Sequence, residues 1–443
     1  MRHLAFLSSL AALLTITRWP LAPKYLFYFD AVNMAMAIEE FAPGKHQPQP
    51  PGYPFFVALL KAIHALGFNV ENTMLVSGVV TGTLTGWFLW RFCSDLGNSR
   101  AGWMAALIYI FSPVFWFNSL TNQSRGFSAV ASAGTAWFTW RASRPDSHPG
   151  WLIGATCFLA TMMGFRPVES LMLTPLLLWA VWKRRPHWTT VCWSVLAGVI
   201  PVLVWGGWLL AATGGLTSYM NLMRQYSAEQ NIFEASGAWR AFWKVLEYVF
   251  AIHLICILPW LWALLFAWPQ LQGKWLFLAT WLLPGITFQL LGHAEDPCHL
   301  LATITVFCWI GGMTLSQIQG WKGVAAVGIT ACLGTALFMH PLRGAARSTS
   351  YAVVKRVNTL VIEAIETARA AAEKGPVTIV VRDSMVTWRH LQYYLPDSPV
   401  WVDMPPRWSP SETKLPLEQT PGPFVLVDKK GTHVVPTLPA VSP

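Results

Sequence analysis

The sequence predicts an all-α polytopic membrane protein with a small α/β domain at its C-terminal end. Three observations predict it. Of the 443 residues, 54% are hydrophobic and only 12% are charged, about half the charged content of an ordinary soluble domain. Aromatic side chains are abundant, with 26 Trp and 25 Phe, as expected where rings gather at membrane–water interfaces. The shortage of charge ends near residue 340, since residues 341–443 hold twelve Lys/Arg and nine Asp/Glu. This composition excludes a set of soluble domains, a disordered chain and a disulfide scaffold. Walker, Rossmann and nucleic-acid signals are absent, so no nucleic-acid partner is expected.

A helix needs about 20 apolar residues to cross a bilayer. Eleven stretches qualify as spans: 3–17, 72–91, 102–119, 126–141, 150–166, 168–182, 189–212, 243–268, 275–292, 298–316 and 322–340. The first reads as a retained signal-anchor, because TITRWP is a poor cleavage site. Residues 54–68 are apolar but short and contain Lys61 and His64, so they read as an interfacial helix. With the N-terminus inside, the inner loops hold ten basic residues against two acids, Asp95 and Asp146. The outer loops before residue 341 hold nine basic residues against ten acids. This is the positive-inside asymmetry, and KRRPH at 183–187 anchors it most strongly. The expected location is therefore a plasma membrane, the inner membrane of a bacterium, with a cytoplasmic N-terminus and the C-terminal domain outside.

In that domain, 351–374 is amphipathic and runs to Gly375, a natural helix stop. VTIVVRD (377–383) reads as a buried strand, WRHLQYYLPD as a short helix ending at Pro396, and VWVD and FVLVD as further strands. The seven Cys show no CxxC or Cys/His spacing and read as small apolar side chains.

The span centres carry almost no ionisable groups, whereas ion and proton pathways place charge there. Charge gathers instead at the outer ends, which favours interfacial chemistry over transport. The first outer loop, 18–71, places Asp30 after an aromatic run, Tyr25 to Phe29. A helical stretch with Glu39 and Glu40 follows, then HQPQPPGYP, stiffened by proline. Asp30 reads either as a helix N-cap before AVNMAMAI or as a working carboxylate.

The order of a first span, an outer-loop Asp, a short helix and a PPGYP motif resembles the GT-C class of polytopic glycosyltransferases. It is most similar to bacterial relatives of protein O-mannosyltransferases, which share an H/Q-x-PPGYP loop. The resemblance covers residues 1–340. It implies a GT-C-like membrane domain, a polyprenyl-phosphate-linked sugar as donor and Asp30 as catalytic base. Many O-mannosyltransferases have adjacent Asp-Glu here, whereas Asp30 is followed by Ala31. The nearest further acids, Glu39 and Glu40, are the candidate second acids.

The chemistry fits these residue types. Inverting transfer to a hydroxyl needs a base for its proton, and cationic groups or donors to hold the leaving phosphate. Arg166 in GFRPVES, Arg125 in NQSRGFS, His46 and Tyr53 are the candidates for donor binding. Arg166 reads alternatively as a partner of Glu169. His293, Glu295 and Asp296 in GHAEDPCH form a second polar site at the outer face, expected to assist Arg166 at the phosphate. A divalent metal on those three residues is the other functional reading; the expected enzyme uses no cofactor. Lys24 and Lys45 read as headgroup contacts. The expected acceptor is a protein, glycolipid or polysaccharide. The competing class is a lipid-linked sugar flippase or polytopic transporter, which should show intramembrane charge and repeat symmetry.

Overall fold

The computed structural model describes residues 2–121, 123–229, 238–291, 296–340, 342–382, 384–402 and 423–438. The first half runs α1 (Arg2–Arg18), α2 (Phe29–Glu39), α3 (Pro54–His64), α4 (Val70–Asp95), α5 (Ser99–Ile110), α6 (Pro113–Thr121), α7 (Gly126–Ala142), α8 (Gly150–Phe165) and α9 (Pro167–Leu171). Then follow α10 (Thr174–Arg184), α11 (Trp188–Thr213), α12 (Leu216–Glu229), α13 (Ala238–Leu261), α14 (Trp275–Leu291), α15 (Leu301–Leu315) and α16 (Gly320–Met339). A long helix, α17 (Tyr351–Ala372), leads into β1 (Thr378–Val381), α18 (Trp388–Tyr394), β2 (Val400–Val402), β3 (Phe424–Asp428) and β4 (Gly431–Val435).

Among the described residues, all eleven apolar stretches are mainly helical. Six helical segments among the described residues are long and apolar enough to cross a bilayer alone, and α5 with α6 makes a seventh, bent by 57°. The remaining four stretches hold α7, α8, α10 and α14, helices of 17, 16, 11 and 17 residues. The membrane part is a bundle in which α15 is central, packed on α5 and α7, while α11 lies outside against α8. Most of α11 faces outward with apolar side chains such as Trp193, Ile200 and Leu203. Such a surface needs lipid as its solvent.

Two expected spans are broken. The stretch 102–119 divides at Phe111 and Ser112, because Pro113 has no N–H and its ring clashes with the carbonyl four residues back. The break strands the carbonyl of Ile110, and Arg18 from the end of α1 donates to it from Nη2. Arg18, expected in an outer loop, is instead fully buried. Its Nε donates to Ser119 Oγ at 3.3 Å, and its guanidinium lies 4.0 Å from the Trp116 ring centre. Stretch 168–182 divides into α9 and α10, and α13 ends at Leu261 rather than at residue 268.

Polar side chains join the helices inside the bundle. Ser132 on α7 donates to the Ala302 carbonyl of α15 at 2.6 Å and accepts from Trp281 Nε1 of α14 at 2.8 Å. His253 on α13 bonds Thr303 Oγ1 on α15 at 2.8 Å. Each such bond contributes about 0.6 kcal/mol between membrane helices. Gly312 permits close approach of α15 to α5, since a Cβ there would stand 2.5 Å from the Ala101 carbonyl oxygen.

The C-terminal domain is α/β as expected, and its described residues hold one strand, β4, beyond the three read from the sequence. The sheet order is β2-β1-β3-β4, with β2, β1 and β3 parallel and β4 antiparallel to β3. Alternation along β1 sends Ile379 and Val381 into the main core and Val380 into a smaller one with Phe424 and Leu426. The seven cysteines are free thiols. Cys93, Cys256, Cys298 and Cys308 are buried, while Cys192 and Cys332 are exposed on peripheral helices.

Candidate functional site

Loops at one end of the bundle bring five of the expected residues into two ionic clusters. Asp30 lies in the first turn of α2, and Tyr28 rather than Asp30 is its N-cap. A carboxylate in a first turn is stabilised by the unpaired amides and the helix dipole. Arg125 ends the 3₁₀ turn Gln123–Arg125 that leads into α7. Asp296 caps the 3₁₀ turn Pro297–Leu300, accepting from the Cys298 N–H at 2.7 Å.

Arg125 joins the two acids. Its Nη2 donates to Asp30 Oδ2 at 3.2 Å, and its Nη1 is 3.0 Å from Asp296 Oδ2. The guanidinium side chain is 9% exposed, Asp296 18% and Asp30 29%. Asp30 is thus the member of the trio that solvent or a substrate meets most freely. Burial alone would raise the Asp296 carboxyl and lower Arg125. Their mutual attraction outweighs it, so Asp296 sits below the usual carboxylate range and Arg125 above the usual guanidinium range. Both are charged at neutral pH. The phenols of Tyr28 and Tyr248 lie within electrostatic reach of Asp296 and Arg125.

The second cluster is closed. Arg166 stands in extended backbone, φ −148°, between α8 and α9, as the residue before Pro167 must. Its Nη2 pairs with Glu169 Oε1, which also lies 3.3 Å from His299 Nδ1. Side-chain exposures are 5% for Arg166, 7% for Glu169 and 9% for His299. The Arg166 guanidinium stacks 5.0 Å from the Tyr53 ring centre. Tyr53 connects the clusters, being within electrostatic reach of Arg166, Glu169, Asp30 and Arg125, and burial pushes its phenol up to about 12. It is therefore a neutral hydrogen-bonding group.

Tyr53 is held there by the PPGYP segment. Tyr53 has φ +53° and Gly52 φ +118°, and Pro54 opens α3. The backbone conformation calls for glycine, and a Cβ on Gly52, 2.5 Å from Leu209 Cδ1, would also have to displace that side chain. The Gln47–Pro48 and Pro50–Pro51 peptides are cis. The Tyr219 hydroxyl donates to the Pro51 carbonyl at 3.3 Å.

Arg166 was expected to work with the 293–296 loop; instead Asp296 pairs with Arg125 and Arg166 with Glu169, because each arginine takes the carboxylate nearest in space. His46 is half-buried beside Tyr226, with ring centres 6.4 Å apart. Glu39 and Glu40 are exposed at the far end of α2, where Glu40 pairs with Lys45 at 2.7 Å, so no second acid stands beside Asp30 on that helix. Lys24, read as a headgroup contact, pairs with Glu366 of α17 at 2.6 Å. His293 and Glu295 lie outside the described residues. Among the described residues, no three His, Cys, Asp or Glu side chains gather in a way that could hold a metal ion.

Sequence reasoning missed His299. It belongs to the GHAEDPCH motif but lies beyond Pro297, on the turn that enters α15. Glu169 was readable from its three-residue spacing to Arg166.

Residues 48–205 match the family model described as dolichyl-phosphate-mannose-protein mannosyltransferase. The match begins after Asp30 and includes PPGYP, Arg125 and Arg166. No curated protein sequence matches the chain. By structure the chain is similar to ArnT from Cupriavidus metallidurans bound to undecaprenyl phosphate. The identity is 13% and the TM-score 0.56, over 90% of this chain and 85% of that one. The apo form of the same protein matches at 14% identity with TM-score 0.56 and the same coverage. The arabinofuranosyltransferase AftD from Mycobacteria matches at 15% identity and TM-score 0.51, over 90% of this chain and 31% of that one. The shared property at such identities is the fold: a multi-pass GT-C glycosyltransferase fold, mannosyltransferase-like in its family match.

Proposed function

We propose that this chain is an inverting GT-C glycosyltransferase that moves a sugar from a polyprenyl phosphate to an acceptor hydroxyl at the outer membrane–water interface. Asp30 is the base. Its carboxylate takes the proton of the acceptor hydroxyl as that oxygen bonds to the anomeric carbon. The bond from that carbon to the phosphate oxygen breaks on the opposite face, and the lipid phosphate leaves with the electron pair. Arg125 and Arg166 are the guanidinium donors for the oxygens of that phosphate, and the transfer as written uses no cofactor. The acceptor is a hydroxyl of a protein, glycolipid or polysaccharide.

The observation that carries the reading is the half-exposed Asp30 held 3.2 Å from the buried guanidinium of Arg125. A carboxylate and a guanidinium side by side at one end of the bundle support a base beside a phosphate partner. The family match over residues 48–205 and the fold shared with ArnT, solved with undecaprenyl phosphate, support the donor class. The topology that goes with it has eleven spans, a cytoplasmic N-terminus and residues 341–443 outside. Reporter fusions after Pro186 and at the C-terminus should then report opposite sides.

The functional test uses the full chain in nanodiscs with a panel of undecaprenyl-phosphate-linked sugars, following release of undecaprenyl phosphate. Wild type should release it in the presence of an acceptor. Asp30→Asn should bind undecaprenyl phosphate, read as a thermal shift, and release none from the donor. Undiminished transfer by Asp30→Asn would overturn the reading.

A further inference from the structure

The C-terminal domain reaches the base-bearing helix through one short helix, α18. Phe29 and Asn33 are four residues apart, so they share a face of α2, and Asp30 points about 100° away from Phe29. The shared face is the one α18 covers. Trp388 meets the Phe29 ring edge-on, with centres 5.9 Å apart. Next to it, Arg389 is 6% exposed; its Nε donates to Asn33 Oδ1 at 3.1 Å and its Nη2 to the Lys45 carbonyl. One guanidinium thus ties the helix after Asp30 to the segment that enters the PPGYP loop.

Two further residues of α18 hold the strand of chain before Asp30. His390 is fully buried, and its Nδ1 accepts from the Thr387 N–H at 3.3 Å. Its Nε2 therefore carries the proton and donates to the Leu26 carbonyl at 3.1 Å. Burial pushes this imidazole down to about 4, so it is neutral under ordinary conditions and the bond pattern persists. The Tyr394 hydroxyl accepts from the Leu26 N–H at 2.9 Å and donates to Glu71 Oε1 of α4 at 2.7 Å. Leu26 thus has both backbone groups bonded to α18, so the ends of the Asp30 segment are fixed by a domain that contributes none of the ionic residues around Asp30.

We propose that α18 is a positioning clamp for the base: Arg389, His390 and Tyr394 fix α2 so that the Asp30 carboxylate faces Arg125. This rests on Asp30 being the base, as proposed above. None of the three reaches the phosphate-binding arginines. Their loss should therefore slow the chemical step and leave donor binding unchanged. A displacement of about 1 Å at a reacting group costs up to about 100-fold in rate.

The test takes Arg389→Gln, Arg389→Lys and Tyr394→Phe in the full chain. Two quantities are read: hydrogen exchange of the α2 amides, and kinetics with an undecaprenyl-phosphate hexose as donor probe. Exchange in α2 should rise about tenfold in Arg389→Gln and less in Tyr394→Phe, as expected for lost bonds to a buried charged donor. The kcat should fall about ten- to hundredfold with donor KM within twofold of wild type. Arg389→Lys keeps the charge but reaches only one acceptor, so it should lie between. Unchanged α2 exchange in both Arg389→Gln and Tyr394→Phe would overturn the clamp, whatever the activity. So would unchanged kcat in Arg389→Gln while Asp30→Asn is inactive. If Asp30→Asn remains active, the base assignment falls, and α2 exchange still decides whether α18 fixes that helix.

Discussion

The two arginines at the site end of the bundle have opposite surroundings. Arg125 is shared by two carboxylates, one of them 29% exposed, so its cluster remains open. Arg166 faces a single carboxylate in a cluster whose members are all below 10% exposed. A closed pair has spent its Coulomb attraction on offsetting its own desolvation. An open one still has a face for a substrate. The contrast separates a cluster that a substrate can reach from one that is closed off, although each is an arginine beside an acid.

The largest expected effect tests the open cluster. Asp30→Asn preserves shape and removes the basic oxygen, so transfer should fall at least ~10²–10⁴-fold, the usual worth of a general base. Thermal unfolding of the variant should stay close to wild type, because Asp30 is half-exposed. A variant that unfolds early instead would mean that the Arg125 pair holds the structure as well as the site.

The closed cluster should answer in stability. Glu169→Gln leaves the Arg166 charge buried and uncompensated, which costs about 3–5 kcal/mol, read as a lowered midpoint in detergent. Replacing both partners, Arg166→Met with Glu169→Leu, should recover much of that loss. Donor use then discriminates. If Arg166 also meets the lipid phosphate, the double variant should need about tenfold more donor, the loss of one charge-assisted bond. Wild-type donor kinetics in a stable double variant would make Arg166 purely structural.

Gly52→Ala sharpens the link between the clusters. It forces a Cβ to within 2.5 Å of Leu209 at φ +118°, so a loss of about 1–3 kcal/mol is expected, together with reduced transfer as Tyr53 shifts. The smallest effect should come from Glu40→Gln. Its pair with Lys45 is exposed on both sides, worth about 0–1 kcal/mol at most, and turnover should stay within twofold. A large loss there would move the reacting acid along α2, away from the Arg125 cluster.

Reading the sequence found the helices because hydropathy is a local property summed over a window. It did not find where an apolar run breaks. Pro113 divides 102–119, yet Pro201 lies inside α11 and leaves it continuous. The difference is made by neighbours. Arg18, from another helix, takes the carbonyl left free at Ile110, and no window around residue 110 contains it. In the site, Asp30, Arg125, Asp296, Tyr53 and Arg166 were all legible as polar residues in loops or at the ends of spans. Their pairing was not. Arg125 and Asp30 are 95 residues apart, whereas Arg166 and Glu169 are three apart on adjoining turns and could be matched from spacing alone.

By itself, the sequence determined the solvent this protein folds in, the end of the bundle where its charge collects, and the stiff PPGYP segment. Each follows from composition or from backbone restriction within a few residues. Only the tertiary structure decided which acid each arginine neutralises and that the C-terminal domain grips the helix carrying Asp30. Asn33 and Arg389 are 356 residues apart, and each by itself is an unremarkable polar side chain on a short helix. Electrostatic and hydrogen-bond energies depend on distance in space, and chain separation says nothing of that until the helices have packed.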